Sequence, residues 1–181
     1  MKTILKITKN ELSTLFYSPI AWLILIIFTF QSGMAYANAW DGILRSVALG
    51  FNPSSLTGRL LLGWPGAISS MQEHLFLYIP LLTMGLMSQE YNRGSIKLLY
   101  SSPVTNRQII FGKYLSMIIY AAILVGILFI YYIFTAFTIK SVGTPFALTA
   151  LLGVFLMICA YAAIGLFMSS LTAYQVVAAV G

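Results

Sequence analysis

The residues that could carry out chemistry in this sequence are few and scattered. One histidine, His74, and one cysteine, Cys159, are present, and each stands at or within an apolar segment. Metal sites and nucleophilic centres need several such side chains at set spacings, and the GxxxxGK[ST], HExxH and GxSxG motifs do not occur. The pair Gly112-Lys113 lacks the glycine-rich loop of a phosphate site. The sequence therefore predicts no catalytic residue, no metal, no cofactor, and no ATP hydrolysis by this chain alone.

The composition indicates a membrane protein. Of the 181 residues, 60% are hydrophobic and 8% are charged, against roughly 25% charged in a soluble domain. So few charges cannot hydrate a soluble surface, and the hydrophobicity excludes disorder. The net charge of +6 does not indicate nucleic acid as a partner, because the basic residues lie dispersed between apolar segments. We expect an all-α, polytopic bundle that contacts membrane lipids.

Four segments are long and apolar enough to cross a membrane, which takes about 20 helical residues. None of them holds an acid or a base away from its edges, which disfavours an ion relay. A fifth apolar segment, residues 174–181, stops at Gly181, so we expect a short form or a truncated fragment. The four predicted spans, within a single transmembrane domain of residues 1–181, are residues 18–39, 74–89, 113–138 and 147–170.

The distribution of basic residues predicts the topology. With the N-terminus in the cytoplasm, seven of the ten basic residues fall in cytoplasmic segments, and Arg45, Arg59 and Lys140 fall outside. Lys and Arg collect in cytoplasmic loops, so we expect a multi-pass membrane protein with its N-terminus in the cytoplasm. A cleaved signal peptide is the alternative for the first span, because Ala35-Tyr36-Ala37 resembles a cleavage site. The long amphipathic segment before that span disfavours this alternative.

That amphipathic segment is residues 1–17. Its apolar residues fall on one half of a helical wheel and its lysines on the other, which is typical of a helix at the membrane surface. Glu11 alone interrupts the apolar half. Two interpretations stay open: its carboxylate reaches water at the rim, or it meets a cation on an adjoining subunit or loop. Ser18-Pro19 then ends the surface helix and begins the first span.

The loop after the second span carries a short helical pattern. Gly94 permits a bend, and Ile96, Leu99 and Tyr100 make one apolar face after it. Lys97 lies beside that face, Pro103 closes the pattern, and Thr105 to Gln108 form a capping box for the next helix. The pattern predicts a rigid cytoplasmic helix that can transmit force, or else a surface helix that merely reverses the chain.

In the fourth span, Gly165 and Ser169 form a small-xxx-small pair. Such a pair lets membrane helices approach closely, so we expect both residues in helix packing. The alternative is that Gly165 faces lipid.

Several short motifs, each present once, follow one another in a definite order along nearly the whole chain. They are Lys9-Asn10-Glu11-Leu12, Ile79-Pro80-Leu81-Leu82-Thr83-Met84, Arg93-Gly94-Ser95, Lys97-Leu98-Leu99, Ser102-Pro103-Val104, Ile109-Ile110-Phe111-Gly112-Lys113-Tyr114 and residues 161–172. Together they resemble the permease subunits of type-2 ABC transporters. The nearest likeness is to the gliding-motility-associated permeases of the Bacteroidetes and the nitrous-oxide-reductase maturation permeases.

The resemblance implies six spans per permease, two permeases as a homodimer or heterodimer, and separate ATP-binding subunits that drive substrate export. It also implies that residues 1–17 form a connecting helix, and that residues 90–102 form a coupling helix in a groove of the ATPase. The ATPase-coupling residues would be Glu90, Arg93, Gly94, Ile96, Lys97, Leu99, Tyr100 and Pro103. The sequence departs from the family by stopping within its fifth span.

Two other functions stay open. A membrane-embedded assembly or scaffold protein could dock a cytoplasmic partner through the same loop without transporting a substrate. An intramembrane enzyme is disfavoured, because no His, Asp or Glu residues cluster near the predicted spans.

Overall fold

Helices account for nearly all of the structure. The computed structural model describes residues 2–50, 60–61, 63, 66–87, 105–138 and 144–171, and these include no strand. The all-α prediction is therefore confirmed. The helices of this part of the chain are α1 (Lys2–Tyr17), α2 (Pro19–Ala48), α3 (Ala67–Thr83), α4 (Asn106–Thr138) and α5 (Thr144–Leu171).

Three of these helices, α2, α4 and α5, are long and apolar enough to cross a membrane. Helix α2 continues to Ala48, although the predicted span ends at residue 39. Hydropathy predicts only where the apolar residues end. The helix itself extends beyond them, because a helix ends at a residue that disfavours its continuation. Helix α3 has 17 residues and begins at Ala67, before the predicted span of residues 74–89. A crossing of the membrane by α3 stays a prediction.

A sharp elbow joins α1 to α2 at Ser18. The Ser18 N–H donates to the carbonyl oxygens of Thr14 and Leu15, at 3.2 and 3.0 Å, and so closes α1. Pro19 occupies the first position of α2, where a missing N–H costs nothing. The Trp22 indole N–H donates to the Phe16 carbonyl oxygen at 2.8 Å. This bond across the elbow fixes the start of α2 against the end of α1.

Local signals set two other helix ends. Gly50, at φ 84°, follows the last turn of α2 in the left-handed conformation that glycine adopts at helix ends. At the start of α4, the Thr105 N–H donates to Gln108 Oε1 at 3.3 Å. One of the two reciprocal bonds of the predicted capping box is therefore present.

The chain divides into two compact units. The first comprises Met1–Ile24, Phe76–Ala121 and Met157–Gly181, and the second comprises Leu25–Leu75 and Ala122–Leu156. In the second unit, the ring of Tyr36 stacks on that of Tyr131 with centroids 5.2 Å apart. The Tyr36 hydroxyl also shares a hydrogen bond of 2.8 Å with Thr135 Oγ1. These contacts join α2 to α4 in that unit.

Candidate functional site

The first unit contains a break in α3, immediately before the loop in which the coupling helix is predicted. The regular helix ends at Thr83, Met84 forms a turn, and residues 85–87 are helical again. Pro80 lies one turn earlier and supplies no N–H, and Gly85 has a low helix preference. We call residues 84–87 the exit segment. The Met84 N–H still donates to the Pro80 carbonyl oxygen at 2.8 Å. Beyond that bond the helix is interrupted, so other backbone groups of the segment need partners from elsewhere.

Ser169 of α5 supplies two of those partners. Its hydroxyl donates to the Met84 carbonyl oxygen at 2.9 Å, and it accepts from the Met87 N–H at 3.0 Å. Ser169 is fully buried, so no water competes for these bonds. One hydroxyl therefore holds both ends of the exit segment against α5.

Lys113 of α4 holds the same segment from another direction. Its Nζ donates to the Leu86 carbonyl oxygen at 2.7 Å and to Glu11 Oε1 at 2.8 Å. The Lys113 side chain is 2% exposed and that of Glu11 is 16% exposed. Burying an ammonium group is costly unless a counter-charge and hydrogen bonds compensate for lost water. Here the carboxylate and the carbonyl oxygen supply both.

Helix α1 reaches Lys113 because it packs closely on α4 at Gly112. The Thr8 hydroxyl donates to the Gly112 carbonyl oxygen at 3.1 Å. A Cβ atom on Gly112 would lie 2.6 Å from Cγ2 of Ile7, closer than atoms of neighbouring residues approach. The glycine next to Lys113 thus permits the approach that brings Glu11 to the ammonium group.

This geometry supports the second interpretation of Glu11 in part, because the carboxylate meets a cation, but that cation lies on helix α4 and not on an adjoining subunit or loop. The carboxylate does not point into water at the rim of the apolar face. It meets a cation, and the cation is Lys113 of the same chain. The acid that interrupts the amphipathic pattern of α1 is thus explained by an intramolecular ion pair.

A cleft of about 80 Å³ adjoins this ion pair. It lies between α1, the elbow, the first turn of α2 and the end of α3, all within the first unit. Apolar side chains make most of its wall, and Glu11, Thr14 and Ser18 are its polar members. Helix α1 and the end of α3 are therefore not fully packed against each other beside the ion pair.

Across the described ranges, no three His, Cys, Asp or Glu side chains come together where a metal ion could bind. His74 Nδ1 lies 2.7 Å from the Ser70 carbonyl oxygen one turn earlier in α3, which fits a structural histidine. What the site in the first unit can do is mechanical: it ties three helices to the exit segment.

The predicted ATPase-coupling residues cannot be compared with this site directly. Residues 90–103, from Glu90 to Pro103, lie outside the described residues. On either side of them, the described residues end at Met87 and resume at Thr105. Their role stays a prediction, whereas the anchoring of the segment before them is a structural finding.

Gly165 and Ser169 both face α3 in the first unit. A Cβ atom on Gly165 would lie 2.8 Å from Cβ of Thr83, so the absence of a side chain at Gly165 makes room for the Thr83 side chain. One helical turn later, Ser169 makes its two bonds to the exit segment. The small-xxx-small pair thus occupies the contact between α5 and α3.

We expect Gly165→Leu to destabilise the protein, because the larger side chain would force α5 away from Thr83. Overpacking of this kind costs about 1–3 kcal/mol. The matched control is Gly153→Leu, also on α5, where an added Cβ atom meets nothing within 4 Å. Unfolding of the detergent-purified variants by SDS measures both. Equal stability of the two variants would mean that Gly165 is not a packing position.

Sequence reasoning did not assign Lys113 or Thr8 to this site. Lys113 counted as a basic residue in a cytoplasmic segment, and Gly112-Lys113 as an incomplete phosphate motif and as part of one motif of the resemblance. Two features of the sequence could have indicated the ion pair. One acid lies in the apolar half of α1, and one lysine lies at the start of an apolar helix. Each implies a partner, but the sequence does not say that they are partners of each other.

Comparisons with known proteins give one match. The family model described as ABC-2 family transporter protein matches residues 5–181, nearly the whole chain. No curated protein and no solved structure matches the chain.

Proposed function

The chain belongs to the ABC-2 family of transporter proteins, and from this premise we propose that it is the permease that couples ATP hydrolysis by a separate subunit to substrate export. Membership in that family, together with three apolar helices of sufficient length, makes it a multi-pass membrane component of a transporter. The partners in this proposal are an ATP-binding subunit and a second permease, either a copy of this chain or a related one.

The anchoring of the exit segment is the observation that carries the coupling part of the proposal. The segment comes just before residues 90–102, the predicted coupling segment, and Lys113 lies in the first turns of the helix that follows. Because Lys113 Nζ bonds to the Leu86 carbonyl oxygen at 2.7 Å, the chain on either side of the coupling segment is joined directly. A segment with both ends held can pass on a displacement, whereas a loop with free ends absorbs it.

Copurification is the experiment that tests this function. The full chain, expressed with a C-terminal tag in its own bacterium, is extracted in mild detergent and its bound proteins are identified. We expect an ATPase with a Walker motif among them. A stable cytoplasmic partner without such a motif would favour the assembly or scaffold alternative instead.

We also propose that the N-terminus is cytoplasmic and that the membrane is the bacterial inner membrane. Support comes from the seven-to-three distribution of basic residues and from the exposed lysines of α1, Lys6 and Lys9, which suit anionic headgroups. Single cysteines at Ser95 and Thr105, in a Cys159→Ala background, should react only with reagents on the cytoplasmic side. A cysteine at Ser55 should react only from outside, and the reverse pattern would invert the proposed topology.

The likeness to gliding-motility permeases of the Bacteroidetes rests on the sequence motifs alone. It stays a prediction about the subtype, beyond the family to which the chain belongs.

A further inference from the structure

Three elements of the first unit meet at one ammonium group. Lys113 Nζ lies on α4, bonds to Glu11 on α1 at 2.8 Å, and bonds to the Leu86 carbonyl oxygen of the exit segment at 2.7 Å. The group is nearly inaccessible to water, with the side chain 2% exposed. A displacement of the exit segment therefore acts on the same atom that holds α1.

The cleft beside the ion pair increases the importance of the two bonds that Lys113 makes to α1 and to the exit segment. Apolar packing between α1 and residues 81–86 is incomplete where the cleft of about 80 Å³ lies between them. Packing across that cleft cannot pass on a movement. The ammonium group bridges the two sides with short, directional bonds.

Helix α1 is also connected to the first membrane helix, α2, by a short and hydrogen-bonded elbow. The elbow at Ser18 is one residue long, and the bond from the Trp22 indole to the Phe16 carbonyl oxygen crosses it at 2.8 Å. The Tyr120 hydroxyl of α4 donates to the Ala21 carbonyl oxygen at 2.9 Å, next to the same elbow. A shift of α1 thus reaches the first turn of α2.

We propose that Glu11 and Lys113 are positioning residues that make α1 move together with the coupling segment when the ATPase subunit changes state. The inference rests on the proposed function, because it presupposes an ATPase that displaces residues 90–102. It adds that a displacement of the exit segment reaches α1 through the buried ion pair of Glu11 and Lys113.

A purely structural role can be separated from this one by removing both charges together. Replacing a buried ion pair by apolar residues of similar size is often neutral for stability, because the cost of burying two charges disappears with their attraction. The double variant Glu11→Leu with Lys113→Met should therefore fold and bind the ATPase. It keeps apolar contact but loses the directional bonds at the ammonium group.

Spin-label distances in the complete complex with the ATPase provide the test, in a Cys159→Ala background. One pair, at Ser13 and Phe167, follows α1 relative to α5, and both positions are exposed. A second pair, at Ser95 and Phe167, follows the coupling segment. Each distance is measured without nucleotide and with a non-hydrolysable ATP analogue.

In the unaltered chain we expect both distances to shift when the analogue binds. In the double variant the Ser95 shift should persist, and the Ser13 shift should be lost. The control variant Lys6→Met removes an exposed lysine of α1 and should keep both shifts.

A Ser13 shift of unchanged size in a folded double variant would overturn the inference and leave the proposed function standing. Absence of a bound ATPase with the unaltered chain would instead remove the proposed function, and the inference with it.

Discussion

Replacing Glu11 by alanine should lower the free energy of unfolding by about 3–5 kcal/mol, the usual cost of breaking a buried ion pair from one side. The Lys113 ammonium would lose the carboxylate that now lies 2.8 Å away, while its side chain stays buried. SDS titration of the detergent-purified protein, followed by circular dichroism, measures the change.

An exposed acid on another helix provides the control. Glu73→Ala removes a carboxylate that faces out from α3, and surface changes of this kind usually stay within about 0.5 kcal/mol. The double variant Glu11→Leu with Lys113→Met should recover part of the loss, because no charge is left buried, while the Leu86 carbonyl oxygen still loses its donor. If Glu11→Ala unfolds at the same SDS concentration as Glu73→Ala, the carboxylate lies in water and the ion pair does not form.

Replacing Leu99 by aspartate should abolish capture of the ATPase while membrane insertion stays normal. On the proposed function, Leu99 fills an apolar cleft on that subunit together with Ile96 and Tyr100. A charge forced into such a cleft without a partner costs about 3 kcal/mol or more, which weakens binding by more than a hundredfold. Tyr100→Asp should act in the same way, because apolar and aromatic anchors dominate most interfaces.

Ser101→Asp is the matched control, since it introduces the same charge into the same segment away from the predicted apolar face. Pull-down of the tagged chain, with the bound ATPase quantified by immunoblot, compares the variants. Full retention of the ATPase by the Leu99→Asp protein, correctly inserted, would leave residues 90–102 as a surface helix that merely reverses the chain.

Much of the fold could be predicted because its signals are local. Apolar length predicts α2, α4 and α5 as membrane helices, and Pro19 and Thr105 mark the starts of two of them. The helical wheel of residues 1–17 also identified Glu11 as the residue out of place. These inferences need only neighbours within one or two turns, which the sequence displays directly.

The partner of Glu11 could not be predicted in the same way. It depends on which faces of α1 and α4 come together, and the close approach at Gly112 decides that. The break in α3 at Met84 is similar, because the bonds of Ser169 that stabilise it come from another helix. Periodicity assigns a face to each helix but not the helix that this face meets.

The distance along the chain between Glu11 and Lys113 has a consequence for biosynthesis. The two residues are separated by 102 positions, and a ribosome adds about 5–20 residues per second. Helix α1 must therefore wait about 5–20 s after its own synthesis before Lys113 exists. During that interval its exposed lysines and apolar face suit the surface of the bilayer. Attachment of α1 to α4 therefore comes well after the synthesis of α1, although α1 is the first helix of the protein to be made.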